Sequence, residues 1–291
     1  MILQKERRFL RENFVFYLIG ILVVLGIKYF YSQADCDSLL WILAPTTRWV
    51  ELLSGIPFSY VSGTGYVNHS LRLWIAPSCS GVQFMIITVA TLVFSFVHKI
   101  AAPQESPLPK ASFRVMKGLG WIAVSIVFSW LFTVFINGLR IIVAIYLPLY
   151  LDRAGLMTGL LTPDRLHTMI GVVVYVIALL TLYRLVGYFV QRRSGQTGRT
   201  QSTADSPKVC KEQFLQVMIR KCMPPIFWYF FMTLGLPFLN RAYLKGSAKF
   251  TEYAVLITCC CAAILLPYCL VLLLHSRRRN KDSVANTHAA Q

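Results

Sequence analysis

The chain has 291 residues, of which 56% are hydrophobic and 14% are charged, with a mean hydropathy of +0.58. This composition excludes an ordinary soluble domain and predicts an integral membrane protein. The net charge of +17 does not indicate nucleic-acid binding, because the basic residues form short clusters between long apolar runs.

A helix that crosses a bilayer needs roughly 20 predominantly apolar residues. On this basis we predict an all-α fold, a polytopic bundle of transmembrane helices. Two further segments, Leu39–Phe58 and Ile141–Leu151, are apolar enough to cross the membrane or to lie in its interface, so the expected number of spans is six to eight. The six principal runs are Asn13–Ile27, Leu73–Val97, Gly118–Leu139, Leu166–Tyr183, Cys222–Asn240 and Tyr253–Leu274.

The distribution of Lys and Arg predicts the orientation. A basic N-terminal segment precedes the first run, and no small-residue cleavage site follows it, so we expect a retained anchor rather than a cleaved signal peptide. With the N-terminus in the cytoplasm, 19 of the 29 Lys and Arg residues fall in cytoplasmic segments and eight fall outside. This excess agrees with the positive-inside rule.

The first two cysteines differ in their surroundings. Cys36 has an acidic residue on each side, which raises the pKa of a thiol, so it is a poor nucleophile candidate. Cys79 follows Pro77 and Ser78 at the start of an apolar run. Ser78 is predicted to be the N-cap and Cys79 the first helical residue, where the helix macrodipole favours the thiolate. A purely structural cysteine is the alternative.

A second candidate is the pair Asn137 and Arg140 at the outer end of the third run. Residues spaced i, i+3 share one face of a helix. An arginine at the membrane boundary is costly and suggests a functional site, although an interfacial anchor is the simpler interpretation.

A third candidate, His167, lies near the start of the next run. Thr162 as N-cap and Pro163 as the first helical residue predict a helix start here, which places His167 at the outer boundary. A solvated surface histidine is the alternative, and His69 in an outer loop is a weaker candidate for the same role.

The polar segment after the fourth run predicts the domain organisation. Residues 1–190 are expected to form a membrane core, 191–209 a cytoplasmic linker, and 210–291 an accessory two-span segment with a basic tail. The cysteines within the last span are expected to behave as small hydrophobic residues, and no pattern predicts a structural zinc site.

The orientation rests on Lys and Arg counts that use neither Cys79 nor His167, yet it places all three candidates at the outer ends of three different spans. A thiol, an imidazole and a guanidinium at one depth can serve as a nucleophile, a general acid and base, and an oxyanion or carboxylate binder. The predicted catalytic residues are therefore Cys79, Arg140 and His167.

These residues resemble the signature of the exosortase/archaeosortase family of membrane cysteine transpeptidases. The matching elements are Cys79-Ser80-Gly81, Asn137-x-x-Arg140 and the later His167, and the resemblance covers roughly residues 14–190. It implies supporting roles for Asn137, Ser80 and Gly81. The segment after the linker has no counterpart in these motifs.

The resemblance also implies a reaction. A secreted protein that ends in a short recognition motif, a transmembrane helix and a basic cluster would be cut at the outer face of a prokaryotic inner membrane. Cys79 would form a thioester, and an amine acceptor or water would release the product. The implied partners are the sorting-signal helix, the lipid bilayer and the amine, without nucleic acid, metal or organic cofactor.

Three other functions are compatible with parts of the sequence. A transporter or channel would explain an intramembrane arginine and helices that contain proline. A membrane acyltransferase or lipid-modifying enzyme would also use an outer-face cysteine or histidine. A structural membrane subunit would need none of the three candidates.

Overall fold

The structure, a computed structural model, describes residues 2–101, 110–156, 162–193 and 222–288. It is 84% helical, and six of the described helices are long and apolar enough to cross a membrane. The predicted all-α bundle is therefore confirmed. The chain divides into two compact units, Met1–Tyr175 and Val176–Gln291, and each is described by itself.

Six of the eight α-helices in the described residues follow the six predicted apolar runs, and of these eight only α2 and α7 are too short to cross. In chain order the helices are α1 (Ile2–Gln33), α2 (Leu40–Ser54), α3 (Val82–Ile100), α4 (Lys110–Arg153), α5 (Pro163–Arg193), α6 (Cys222–Leu239), α7 (Ala242–Lys245) and α8 (Ser247–His288).

Helix α3 forms the core of the first unit. It packs against α1 and α4, while α2 packs against α4. Of the most apolar 18-residue stretch of α3, 89% is buried. A helix that is apolar on all sides is expected in such a central position. Because α3 is enclosed, the residues that lead into it are held by neighbouring helices.

The two uncertain segments add no further span. Leu39–Phe58 folds into α2, whose 15 residues measure about 22 Å, shorter than a hydrocarbon core of about 30 Å. Ile141–Leu151 is the last part of α4, which continues without a break through Arg140 to Arg153. The apolar run thus ends near Arg140, but the helix does not.

A small antiparallel sheet between α2 and α3 was not predicted. Its strands are β1 (Ser59–Val61), β2 (Gly65–Asn68) and β3 (Leu73–Ile75), in the order β1-β2-β3. Strands of three or four residues are too short for an alternating pattern to be visible in the sequence. β3 ends four residues before Cys79, so the sheet leads directly into the candidate site.

The second unit contains the last part of α5 with α6, α7 and α8. One turn of α6, Phe231–Gly235, is π-helical. The boundary between the two units lies within α5, at Tyr175. The predicted linker, 191–209, lies outside the described residues from position 194 onward, and its first three residues are the end of α5.

Candidate functional site

Cys79 lies in a short turn before α3, not in the helix. Pro77–Cys79 form one turn of 3₁₀-helix, in which the Cys79 N–H donates to the Ala76 carbonyl at 2.8 Å. Gly81 follows in the left-handed conformation with φ +75°, and α3 begins only at Val82. The prediction that Ser78 caps the helix and that Cys79 is its first residue was therefore wrong.

Contact with α4 explains why the helix begins later. A Cβ atom at Gly81 would lie 2.9 Å from Cγ of Asn137, so only glycine suits both the space and the backbone angle. Ser80 is fully buried, and its hydroxyl lies 3.5 Å from the Val82 nitrogen. The Ser80-Gly81 pair thus sets the path of the chain between the turn and the helix.

Asn137 connects the Cys79 backbone to a tyrosine on α5. Its Nδ2 donates to the Cys79 carbonyl at 2.6 Å, and its Oδ1 accepts a hydrogen bond from Tyr175 Oη at 2.7 Å. The Asn137 side chain is fully buried. Because each end of the amide has its own partner, the orientation of the amide is determined.

Arg140 is a buried cation one helical turn after Asn137. It is 8% exposed, and its Nη2 lies 2.7 Å from Nε2 of His167. Its guanidinium carbon lies 5.5 Å from the centre of the Tyr175 ring, within the range of a cation–π contact. Among the described residues, its Nε has no hydrogen-bond partner.

The contact between Arg140 and His167 determines the protonation of the histidine. Arginine has only donors, so Nε2 of His167 must be the acceptor and carries no proton. His167 is therefore neutral in this arrangement, with its proton on Nδ1. A doubly protonated imidazole would place a donor against a donor.

The predicted start of α5 is confirmed. The helix begins at Pro163, and the Thr162 hydroxyl accepts a hydrogen bond from the Arg165 N–H at 3.4 Å. His167 lies in the second turn, and its side chain is exposed. The cap thus determines where along the helix the imidazole meets Arg140.

Two contributing residues were missed in the sequence, Gly171 and Tyr175. They follow His167 at positions i+4 and i+8, along one ridge of α5. A Cβ atom at Gly171 would lie 3.2 Å from Nε of Arg140, so the absence of a side chain there lets the guanidinium lie close to α5. The i, i+4, i+8 spacing from His167 was the available signal.

The structure therefore links the predicted site residues in two ways. Asn137 contacts the Cys79 backbone and lies against Gly81, while Arg140 contacts His167. Tyr175 touches both Asn137 and Arg140 and so connects the two sets. All of these residues belong to the first unit.

The other candidates lie in different surroundings. Cys36 is buried, and burial together with the nearby Asp37 carboxylate raises the pKa of its thiol, as expected for a poor nucleophile. His69 is exposed in the turn after β2. In the second unit Cys260 and Cys261 are buried in α8, consistent with use as small apolar residues.

No group of three or more His, Cys, Asp or Glu side chains in the described part of the chain could hold a metal ion. Comparisons with protein-family models, curated protein sequences and solved structures find no match to this chain.

Proposed function

We propose that this protein is a membrane-embedded cysteine protease or transpeptidase of the exosortase type. In this proposal it cuts a C-terminal sorting signal, made of a short motif, a membrane helix and a basic cluster, from secreted proteins. The proposed location is the inner membrane of a prokaryote, with the site at the outer face. Cys79 is the nucleophile, His167 the general base and acid, and Arg140 the oxyanion binder.

The observation that carries the proposal is the pair of contacts centred on α4. Asn137 holds the Cys79 carbonyl at 2.6 Å, and Arg140 lies 2.7 Å from His167. The turn before α3 thus contributes the Cys79 thiol, α4 the buried Arg140 and α5 the His167 imidazole. The two contacts place Asn137 and Arg140 of α4 against the other two elements. Burying a cation and a polar amide in an apolar bundle is costly, which favours a functional reason for both.

The protonation of His167 implies an order of events. While Arg140 donates to Nε2, this nitrogen cannot take the proton of the Cys79 thiol. In our proposal the scissile carbonyl oxygen of the substrate accepts the Arg140 N–H in place of His167. This exchange frees Nε2 to act as a base, so the site becomes reactive only when a carbonyl group is bound.

The proposed reaction then has two stages. Nε2 takes the thiol proton, the sulfur attacks the carbonyl carbon, and Arg140 donates to the developing oxyanion. The peptide C–N bond breaks as the His167 imidazolium returns the proton to the leaving amine, which leaves a thioester. An amine or water then attacks the thioester, and its released proton restores the Cys79 thiol.

The test is a co-expression experiment with a secreted protein that ends in an apolar helix and a basic tail. The intact mass of that protein is measured with the wild type, with Cys79→Ala, and with Cys260→Ala as a control buried in α8. We expect a shortened protein with the wild type and the control, but not with Cys79→Ala. His167→Gln should slow the cleavage about 10²- to 10⁴-fold, the usual contribution of a general acid and base.

Either outcome is informative. Mass added to the new C-terminus would identify the acceptor and show transfer, while an unmodified new C-terminus would show hydrolysis. Equal masses with the wild type and Cys79→Ala, across a panel of such secreted proteins, would overturn the proposal. Measurements of solute transport and lipid composition would then test the transporter and acyltransferase alternatives.

A further inference from the structure

We infer that Tyr175 is a positioning residue of this site, acting on Cys79 through Asn137 and on Arg140 through its ring. The inference rests on the proposed function for its role in catalysis. The geometric basis does not depend on that proposal, because Tyr175 contacts three residues from the two neighbouring helices α3 and α4. Those residues are Phe84 on α3 and Asn137 and Arg140 on α4.

The hydroxyl of Tyr175 determines how Asn137 is oriented. It donates to Oδ1 of Asn137 at 2.7 Å, which leaves Nδ2 directed at the Cys79 carbonyl. Without the hydroxyl, the buried Oδ1 loses a donor, and rotation of the amide would place an oxygen against the carbonyl of Cys79. The hydroxyl therefore keeps the turn that carries Cys79 attached to α4.

The ring of Tyr175 has a second role. It stacks on Phe84 with centroids 4.3 Å apart and planes inclined by 9°, and its other contact is the Arg140 guanidinium 5.5 Å away. Phe84 is 1% exposed and lies five residues after Cys79. The ring thus connects the first turn of α3 to the cation that contacts His167.

A residue that only filled space would not need the hydroxyl. Phenylalanine has nearly the same volume and would preserve both ring contacts, so Tyr175→Phe removes only the contacts of the hydroxyl, which are with Asn137 and with the Arg140 guanidinium. Tyr188 on the same helix is an exposed tyrosine whose ring contacts Phe189, and Tyr188→Phe is the matched control.

The first measurement does not require a substrate. The full-length protein in detergent is treated with iodoacetamide, and the rate of Cys79 alkylation is followed by the mass of the peptide that contains it. We expect Tyr175→Phe to change this rate about 2- to 10-fold, the range that corresponds to one hydrogen bond. Tyr188→Phe should match the wild type.

A double-mutant cycle with Asn137→Ala separates positioning from general destabilisation. If the tyrosine acts through Asn137, the double variant should be alkylated at the rate of Asn137→Ala alone. If the two substitutions acted independently, their fold-changes in the alkylation rate would instead multiply in the double variant. An unchanged alkylation rate in Tyr175→Phe, or multiplied effects in the double variant, would overturn the inference.

The cleavage assay adds a second reading. We expect Tyr175→Phe to lower kcat about 10-fold with little change in KM, because substrate binding is not altered. If no variant or wild type cleaves any substrate, the proposed function fails, while the alkylation cycle still decides whether Tyr175 positions Cys79. The two failures are therefore distinguishable.

Discussion

The two units each place an arginine against a tyrosine ring, at nearly the same distance. In the first unit Arg140 lies 5.5 Å from the ring centre of Tyr175, and in the second Arg184 lies 5.6 Å from that of Tyr268. Their surroundings differ. Arg140 is 8% exposed and contacts His167, whereas the side chain of Arg184 is exposed.

The comparison shows that two arginines within apolar helices, each against a tyrosine ring, can differ in burial and in polar contacts. An exposed arginine on a membrane helix can extend its charged group toward the interface, with little cost. A buried arginine cannot, so its charge must be compensated by neighbouring groups. The polar groups that surround Arg140 are what distinguish the first unit.

The largest expected difference between the two pairs comes from removing each charge. Arg140→Met should lower the cleavage rate about 10²- to 10³-fold, as loss of an oxyanion donor does. Arg184→Met should leave the rate unchanged. Arg140→Lys should fall between the wild type and Arg140→Met, because lysine keeps the charge but not the planar donor group. The measurement is the rate of substrate shortening, normalised to the amount of protein in the membrane.

Equal losses in Arg140→Met and Arg184→Met would contradict the distinction between the two pairs. This result would indicate that each arginine contributes mainly to the folding of its unit. Thermal unfolding of both variants in detergent would show whether the loss follows stability.

A smaller effect on the cleavage rate is expected from adding a methyl group at Gly81, which lies against Asn137. Gly81 and Gly55 both have positive φ, +75° and +69°, but only Gly81 lies against another residue. Replacing either with alanine should cost about 1–2 kcal/mol in unfolding free energy from the backbone angle. Gly81→Ala should in addition displace Asn137 and slow cleavage, which Gly55→Ala should not.

The relevant measurements are unfolding in detergent and the cleavage rate of the two variants. If Gly81→Ala cleaves at the rate of Gly55→Ala, the contact between Gly81 and Asn137 does not matter for catalysis.

The smallest effect concerns the sheet that precedes Cys79. Hydrogen bonds from Tyr60, Ser62 and Gly63 lower the pKa of the Asp37 carboxyl. A group whose pKa is lower in the folded state stabilises that state above its unfolded pKa, about 3.9, and this contribution is lost as the pH falls through the folded pKa. Digestion of the 59–68 hairpin by pepsin should therefore become faster as the pH is lowered from 4 toward 2.

The control for this prediction is Asp37→Asn, which cannot titrate. The rate of hairpin digestion is divided by the rate at which pepsin digests a reference peptide at the same pH. This ratio should depend less on pH in Asp37→Asn than in the wild type. An unchanged dependence would show that Asp37 does not hold the hairpin. Because Asp37 is exposed, we expect little effect on overall stability.

The spans could be predicted from the sequence because apolar runs of this length have few alternatives in water or lipid. The end of α4 could not be predicted in this way. Arg140 interrupts the apolar run and so suggested the end of a span, but arginine is a good helix former, and contacts with His167 and Tyr175 accommodate its charge within the helix.

The start of α3 illustrates the limit of local signals. Pro77 and Ser78 are typical of a helix start, and they do form a helical turn, but of the 3₁₀ type. What delays α3 until Val82 is the fit of Gly81 against Asn137, a contact between residues 56 positions apart. A window of neighbouring residues contains no information about such a contact.

The candidate site was predicted in part. Cys79, Asn137, Arg140 and His167 are polar groups that interrupt apolar runs, and this made them visible. Tyr175 was missed although it lies eight residues after His167, because a tyrosine in an apolar run is also typical of lipid-facing or interfacial positions. Only the structure shows that its hydroxyl meets Asn137.

The hydrogen bond from Asn137 to Cys79 is made to the backbone carbonyl, not to the sulfur. Replacing Cys79 with alanine removes the thiol and therefore should leave this contact and the path of the turn in place. If Cys79 is the nucleophile, as we propose, Cys79→Ala should keep the shape of the candidate site and retain a substrate without releasing it. Such a variant would serve as a substrate trap, from which bound polypeptides could be recovered by crosslinking and identified by mass.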